Sequence, residues 1–185
     1  RVLFRSRAIS SAQHGAATVR ERARSTMRTA ILTISDSTVA GTREDRSGPA
    51  LETRAAELGW TVINKLALPD EEERIATALR ELADSGQIDV ILTTGGSGPA
   101  PRDVTPEATR RIADRDIPGF GELMRSEGLK STKFAPLSRG GAWTRGSTLI
   151  LNLPGSPKGA VQSLDAVAYM VKHVVDLLNG RTEHK

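Results

Sequence analysis

Short apolar runs alternate along this chain with longer segments whose apolar residues recur at helical spacing. Ala30-Ile31-Leu32-Thr33-Ile34 has the length of a buried strand and ends in the polar Ser35-Asp36-Ser37. Behind Ser47-Gly48-Pro49, residues Leu51, Ala55 and Leu58 recur at i, i+4 and i+7, and Gly59 closes the segment. Residues 60–68 read as a second strand. Pro69 and the acids Asp70, Glu71, Glu72 and Glu73 then open a helix with Ile75, Leu79 and Leu82 on one face, the acids lying in the first turn where the helix dipole favours them. A third strand is expected at 88–94. Short helices follow, one capped and begun by Thr105-Pro106-Glu107 and one around Phe120, Leu123 and Met124. The glycine-rich Arg139-Gly140-Gly141 leads to a strand at 148–153. A long helix over 157–178 carries the stripe Val161, Leu164, Ala168, Val171, Val175 and Leu178. Strands alternating with amphipathic helices specify an α/β domain with a mainly parallel sheet and helices on both faces. With 185 residues, one domain at 29–180 accounts for the pattern, flanked by residues 1–28 and a short tail at 181–185.

Charge is unevenly placed. The first 28 residues hold seven arginines and one acid, a net of +6 against +4 for the whole chain, so the remainder carries −2. The pI near 9.8 therefore reflects the leading segment. That segment is rich in Ser and Ala with no sustained apolar period, and is expected to be disordered. An upstream extension, an organelle leader and a functional basic arm all stay open for it. Aromatics make up only 3% of the chain, poor material for base stacking, and no run approaches the roughly 18 apolar residues of a membrane span. The expectation is a cytoplasmic protein that binds neither nucleic acid nor membrane.

In folds of this class, ligands bind beyond the carboxyl ends of the strands, here at the loops 35–47, 94–103 and 154–158. Thr93-Thr94-Gly95-Gly96-Ser97-Gly98-Pro99 places three glycines and several hydroxyls at a strand end, where successive backbone N–H groups can turn inward around an anion. It lacks the Gly-Lys-Ser/Thr of a Walker loop and the third glycine of the dinucleotide fingerprint. Leu153-Pro154-Gly155-Ser156-Pro157-Lys158 supplies a second such entry, with Ser156 as N-cap, Pro157 as first helical residue and free amides near Lys158. Two glycine-bearing helix entries at one sheet edge suggest a ligand with more than one anionic group. Asp70 opens an Asp-x-x-Glu pattern with Glu73, so a capping box and a functional carboxylate are both open for it. Asp103 is less easily explained by capping, since Thr105 is the better cap for the next helix, and a carboxylate beside a phosphate cradle points to Mg²⁺.

Other chemistries are poorly served. Zero cysteines exclude a thiol nucleophile, a Cys-ligated metal and a disulfide framework. The histidines, His14, His173 and His184, do not assemble a triad or a metal site, and no Gly-x-Ser-x-Gly elbow occurs. Glycine loops, aspartates, arginine and lysine remain, an inventory that suits phosphoryl or nucleotidyl transfer.

The motifs Ser35-Asp36-Ser37, Asp45-Arg46-Ser47-Gly48-Pro49, Leu68-Pro69-Asp70-Glu71, Thr94-Gly95-Gly96-Ser97-Gly98-Pro99, Arg102-Asp103-Val104-Thr105-Pro106-Glu107-Ala108, Pro118-Gly119-Phe120-Gly121-Glu122 and Asn152-Leu153-Pro154-Gly155-Ser156-Pro157-Lys158 occur in this order. Their series resembles the MogA/MoaB family of molybdopterin adenylyltransferases, related to the G domain of gephyrin, over residues 29–178. The resemblance implies a three-layer αβα domain, commonly a homotrimer, that transfers AMP from Mg-ATP to molybdopterin, releases pyrophosphate and passes its product to a molybdate-inserting partner protein. It places Asp70 and Asp103 at the family's two essential aspartates. It also implies pterin and nucleotide binding by Ser35, Asp36, Thr94, Gly95, Gly96, Ser97, Gly98 and Arg102, with Pro154, Gly155, Ser156 and Lys158 lining the same pocket. On this reading Asp103 holds Mg²⁺ directly or through water, while Asp70 either orients the nucleophile or completes the metal shell. Arg102, Arg139 and Lys158 are candidate charge neutralisers. Ser97 stands where many members have Thr, and the hydroxyl is kept. A non-catalytic molybdopterin carrier of the same fold is the competing reading, although simple binding of an anion has little use for two acids.

Overall fold

The computed structural model describes residues 26–181. Strand β1 (Arg28–Ile34) begins at Arg28, whose guanidinium pairs with Asp89 at 2.7 Å, and Met27 is buried, so the folded part starts slightly ahead of the expected Thr29. The expectation of disorder over 1–28 falls almost wholly outside the described residues. After β1 come a one-turn helix α1 (Asp36–Val39), helix α2 (Ser47–Glu57), strand β2 (Thr61–Leu68), helix α3 (Glu72–Asp84) and strand β3 (Val90–Thr94). Helix α4 (Thr105–Ile112), strand β4 (Arg115–Ile117), helix α5 (Pro118–Gly128), strand β5 (Gly141–Arg145), strand β6 (Thr148–Leu153) and helix α6 (Pro157–Leu178) complete the domain.

The six strands lie in the order β2-β1-β3-β6-β5-β4. Neighbours among β2, β1, β3 and β6 run parallel, whereas β5 pairs antiparallel with β6 and β4 antiparallel with β5. Side chains alternate across the central strands, as the pleat requires. Ile31, Leu92, Leu149, Leu151 and Leu153 meet α2, α5 and α6 on one face, while Leu32, Ile34, Ile91 and Ile150 meet α3 and α4 on the other. Each fully buried Leu or Ile contributes about 1.5–3 kcal/mol relative to exposure. The sheet is therefore held by two apolar layers, giving the expected αβα arrangement. None of the described helices is long and apolar enough to cross a membrane.

One buried polar network interrupts the second layer. Asn152 is fully buried on β6; its Oδ1 accepts from Thr93 Oγ1 on β3 at 2.9 Å, and its Nδ2 donates to Thr109 Oγ1 on α4 at 2.9 Å. These bonds pin the carboxyl ends of β3 and β6 to α4, directly under the glycine loop. Asn152→Ala is expected to cost about 2–3 kcal/mol, because it opens a cavity and leaves the buried Thr93 hydroxyl unpaired. A urea midpoint indistinguishable from that of the parent would contradict this.

Four elements were not expected from sequence: α1, the three-residue β4, a 3-10 turn over Ala135–Leu137, and β5. Thr105 is the first residue of α4 rather than its cap, because its hydroxyl donates to Gly95 O at 2.9 Å; the N-cap, Val104, makes no side-chain bond. The capping box suggested by Asp70 and Glu73 does not form either. Glu71 takes the N-cap position without a side-chain bond, and the Asp70 carboxylate is engaged elsewhere.

Candidate active site

Strands β1 and β3 are neighbours, yet the chain leaves β1 for β2 on one side and returns to β3 on the other. Such a switch point leaves a crevice at the carboxyl ends of the two strands. A cleft of about 280 Å³ occupies this position, lined among others by Thr33, Ser35, Asp45, Thr94, Gly95 and Gly155. The turn after β2 brings Asp70 to the same edge.

The loop after β3 is built to leave amides open. Gly95 and Gly96 have φ of +99° and +61°. A Cβ on Gly96 would meet Thr105 Oγ1 at 2.3 Å and Asp70 Oδ1 at 3.1 Å, so the missing side chain lets the Asp70 carboxylate approach the loop. The carbonyls of Gly95, Gly96, Ser97 and Gly98 all accept hydrogen bonds, from Thr105 Oγ1, Thr105 N–H, Arg139 N–H and Arg139 Nε respectively. The N–H groups of Gly96, Ser97 and Gly98 bond to no group among the described residues. Consecutive unpaired amides on a loop whose carbonyls are tied back form an anion-binding nest. Thr94 Oγ1 donates to Pro154 O at 2.7 Å, and the buried Ser97 hydroxyl donates to Leu153 O at 3.3 Å. Both side chains thus stitch the loop to the end of β6.

The second entry abuts the first. A Cβ on Gly155 would lie 3.2 Å from Gly95 Cα. Ser156 caps α6, its hydroxyl accepting from Gly159 N–H at 3.2 Å, and Pro157 is the first helical residue, as expected. The positive end of a 22-residue helix therefore meets the glycine loop. Lys158 is exposed and lines a separate groove of about 740 Å³ between α2, α5 and α6, together with Glu127 and Asp165. That groove touches none of the three site aspartates.

Two of those aspartates, Asp36 and Asp70, form a connected cluster with Arg102, and the charge of Asp103 is felt at Asp70. Asp36 and Asp70 exchange bonds reciprocally: Asp36 N–H donates to Asp70 Oδ2 at 2.9 Å, and Asp70 N–H donates to Asp36 Oδ1 at 3.0 Å. Arg102 grips Asp36 through Nε and Nη2, the closest contact being 2.6 Å. Asp103, half-buried, accepts from Ala100 N–H at 2.8 Å and so closes the turn that follows the glycines. Arg102 holds the Asp36 carboxyl below the usual carboxylate range, assisted by the Asp70 amide. Asp70 is pushed above that range, chiefly by burial, with the charges of Asp36 and Asp103 adding to the shift while the Asp36 amide and Arg102 oppose it.

The two carboxyls therefore act oppositely on stability. Asp36 favours the folded state above its unfolded value, a contribution lost as the pH falls through its lowered folded value. Asp70 favours the folded state at low pH, and that contribution is lost as the pH rises through its raised folded value. Carboxyl NMR titration in metal-free buffer is expected to show Asp70 titrating above Asp36, with Arg102→Gln moving both upward. Coincident titrations, or an insensitive pair, would contradict the cluster as described.

One residue of this site, Asp45, was not singled out by the sequence reading. Asp45 accepts from Thr33 Oγ1 at 2.6 Å and from Gly48 N–H at 2.9 Å, folding the loop 35–47 into the cleft wall. Its spacing to Gly48, Asp-x-x-Gly ahead of a helix, is a capping signal that could have marked it. Thr105, expected as a helix cap, and Arg139, expected as a charge neutraliser, instead support the loop from behind, a role that no local pattern announces.

An open-amide loop and a helix N-terminus at a switch point, flanked by carboxylates and an arginine, give this α/β domain a cleft whose chemistry suits a polyanionic ligand. Residues 30–173 match the family described as probable molybdopterin binding domain, and the chain belongs to that family. It is 41% identical over 160 residues to the molybdopterin adenylyltransferase of Helicobacter pylori (strain J99), covering 84% of this chain and 89% of that protein. Its fold is similar to the crystal structure of the molybdopterin biosynthesis enzyme MoaB from Thermus thermophilus, with a TM-score of 0.79, 49% identity, and coverage of 84% of this chain and 98% of that one. It is also similar to the tungsten cofactor synthesizing protein MoaB from Pyrococcus furiosus, with a TM-score of 0.74 and 30% identity over 85% of this chain and 98% of that one.

Proposed function

We propose that this chain acts in molybdenum cofactor biosynthesis as a molybdopterin adenylyltransferase, transferring AMP from Mg-ATP to molybdopterin and releasing pyrophosphate. The observation that carries the reading is the loop after β3, whose four successive carbonyls are tied back while the amides of Gly96, Ser97 and Gly98 stay unpaired beside Asp70 and Asp103. The molybdopterin phosphate is already anionic near neutrality. An oxygen of it attacks the α-phosphorus of ATP, the new P–O bond forms, the bond to the β-phosphate oxygen breaks, and pyrophosphate departs with the electron pair.

No base is required, and the task is to bring anions together. The loop amides and the start of α6 bind phosphate oxygens, and Ser35, Thr94, Gly95 and Gly155 shape the cleft that orients the reactants. Pro154 and Ser156 hold the second entry in place, and Lys158 adds positive charge near the helix start. Arg102 is positioned to exchange Asp36 for an incoming phosphate.

Among the described residues, no three His, Cys, Asp or Glu groups converge as a metal cage. Mg²⁺ arriving with a triphosphate needs only one or two protein carboxylates, and Asp103 with Asp70, whose burial and acidic neighbours disfavour an uncompensated charge, fits that requirement. Bound there, Mg²⁺ would screen the triphosphate and stabilise the leaving pyrophosphate.

The protein is further proposed to work in the cytoplasm as a homotrimer that passes its product to a molybdate-inserting partner protein, the arrangement implied by the family resemblance. Sedimentation velocity giving a monomer or dimer would remove the trimer. Purified protein is expected to release pyrophosphate only when molybdopterin and Mg-ATP are both supplied. Tight molybdopterin binding with no release would replace the enzyme by a carrier.

A further inference from the structure

The glycine loop is held open by a residue that the transfer chemistry itself does not require. Thr105 ties the first two loop carbonyls, and Arg139 ties the next ones: its N–H donates to Ser97 O at 2.8 Å, its Nε to Gly98 O at 2.7 Å, and its Nη2 to Asp103 O. Its Nη1 pairs with Glu107 Oε1 on α4. Arg139 therefore spans both ends of the turn that runs from the open amides to Asp103. The other Glu107 oxygen, Oε2, is buried and has no hydrogen-bond partner among the described residues. A buried carboxylate oxygen left unpaired is a cost to folding, so the placement of Glu107 points to a task beyond stability. That task is to fix the plane of the guanidinium. Three of the five N–H donors of the guanidinium are thus engaged by protein, which fixes it as a support of the loop.

Resting on the adenylyl-transfer reading, we propose that Arg139, oriented by Glu107, is a positioning residue that holds the amides of Gly96, Ser97 and Gly98 and the backbone of Asp103 in the geometry that receives the polyphosphate. The planar fork suits this task. A lysine ammonium at the same place is a point charge and cannot reach Gly98 O and Asp103 O in one rigid arrangement.

The test uses Arg139→Lys, Arg139→Ala and Glu107→Gln in the full chain, with two readouts. Calorimetric titration with magnesium pyrophosphate reports the cradle without turnover, and pyrophosphate release separates kcat from KM. Arg139→Lys is expected to weaken pyrophosphate binding about tenfold and to lower kcat about 100-fold, the scale of a misplaced reacting group. Glu107→Gln is expected to weaken binding by a smaller factor. Added guanidinium chloride at millimolar concentration should recover part of the pyrophosphate affinity of Arg139→Ala, which a purely structural defect would not allow. Parent-like pyrophosphate binding in Arg139→Lys and Glu107→Gln overturns the proposal, as does an Arg139→Ala defect that guanidinium leaves unchanged. If Arg139→Ala does not fold, the other two variants decide. A parent that never releases pyrophosphate, alongside variants that still lose pyrophosphate affinity, would refute adenylyl transfer and leave the clamp standing.

Discussion

Asp103→Asn is expected to lower the rate of pyrophosphate release by about 10²- to 10³-fold, the range seen when one electrostatic contributor to a transition state is removed. The substitution is informative because it separates charge from shape. The Asp103 carboxylate accepts from Ala100 N–H and closes the turn after the glycines. The asparagine carbonyl can accept the same bond, so the turn, the thermal midpoint and molybdopterin affinity should stay close to those of the parent. What is lost is the negative charge beside Asp70, and with it the carboxylate best placed to meet a magnesium-bound triphosphate. An unchanged rate would remove Asp103 from the mechanism.

Gly95→Ala is expected to have the largest effect on stability, about 3–5 kcal/mol, and to abolish pyrophosphate binding. Two penalties combine there. A φ of +99° is strained for any residue with a side chain, and the new Cβ would lie 2.2 Å from the Ile34 carbonyl oxygen. Ile34 is a buried residue at the end of a central strand, so its backbone has no room to yield. Gly59→Ala is the control: its φ is +77°, yet nothing lies within 4 Å of the added Cβ, and a cost of about 1 kcal/mol is expected. Urea unfolding of the two variants compares them directly. Equal losses would mean that contact with Ile34 does not shape the loop.

Local patterns in the chain carry much of this fold, though not all of it. The apolar run of β6 and the stripe of α6 predict 148–153 and 157–178, the bounds found in the structure, because each buries a continuous face. Strand β5 was missed since Gly141-Ala142-Trp143-Thr144-Arg145 has no run of β-branched residues; it forms because it pairs between β6 and β4 and packs against α4 and α5. The site divides in the same way. Glycines at strand ends and the Ser156-Pro157 helix entry are visible as local chemistry. The reciprocal Asp36–Asp70 exchange joins residues 34 apart, and Arg139 reaches a loop 41 residues away, so both depend on strand order that no local spacing encodes. Asp70 illustrates the ambiguity. Its spacing to Glu73 suggests a capping box, and only the neighbouring β1 turn shows that its carboxylate is used by Asp36 instead.

The central claim is that the open-amide loop and its aspartates join AMP to molybdopterin. The most direct measurement supplies molybdopterin and ATP labelled at the α-phosphate, with Mg²⁺, and weighs the products. Label appearing on molybdopterin as an AMP adduct, with one pyrophosphate released per adduct and neither formed when molybdopterin is omitted, is the predicted result. Molybdopterin bound and unmodified while labelled ATP stays intact would contradict it.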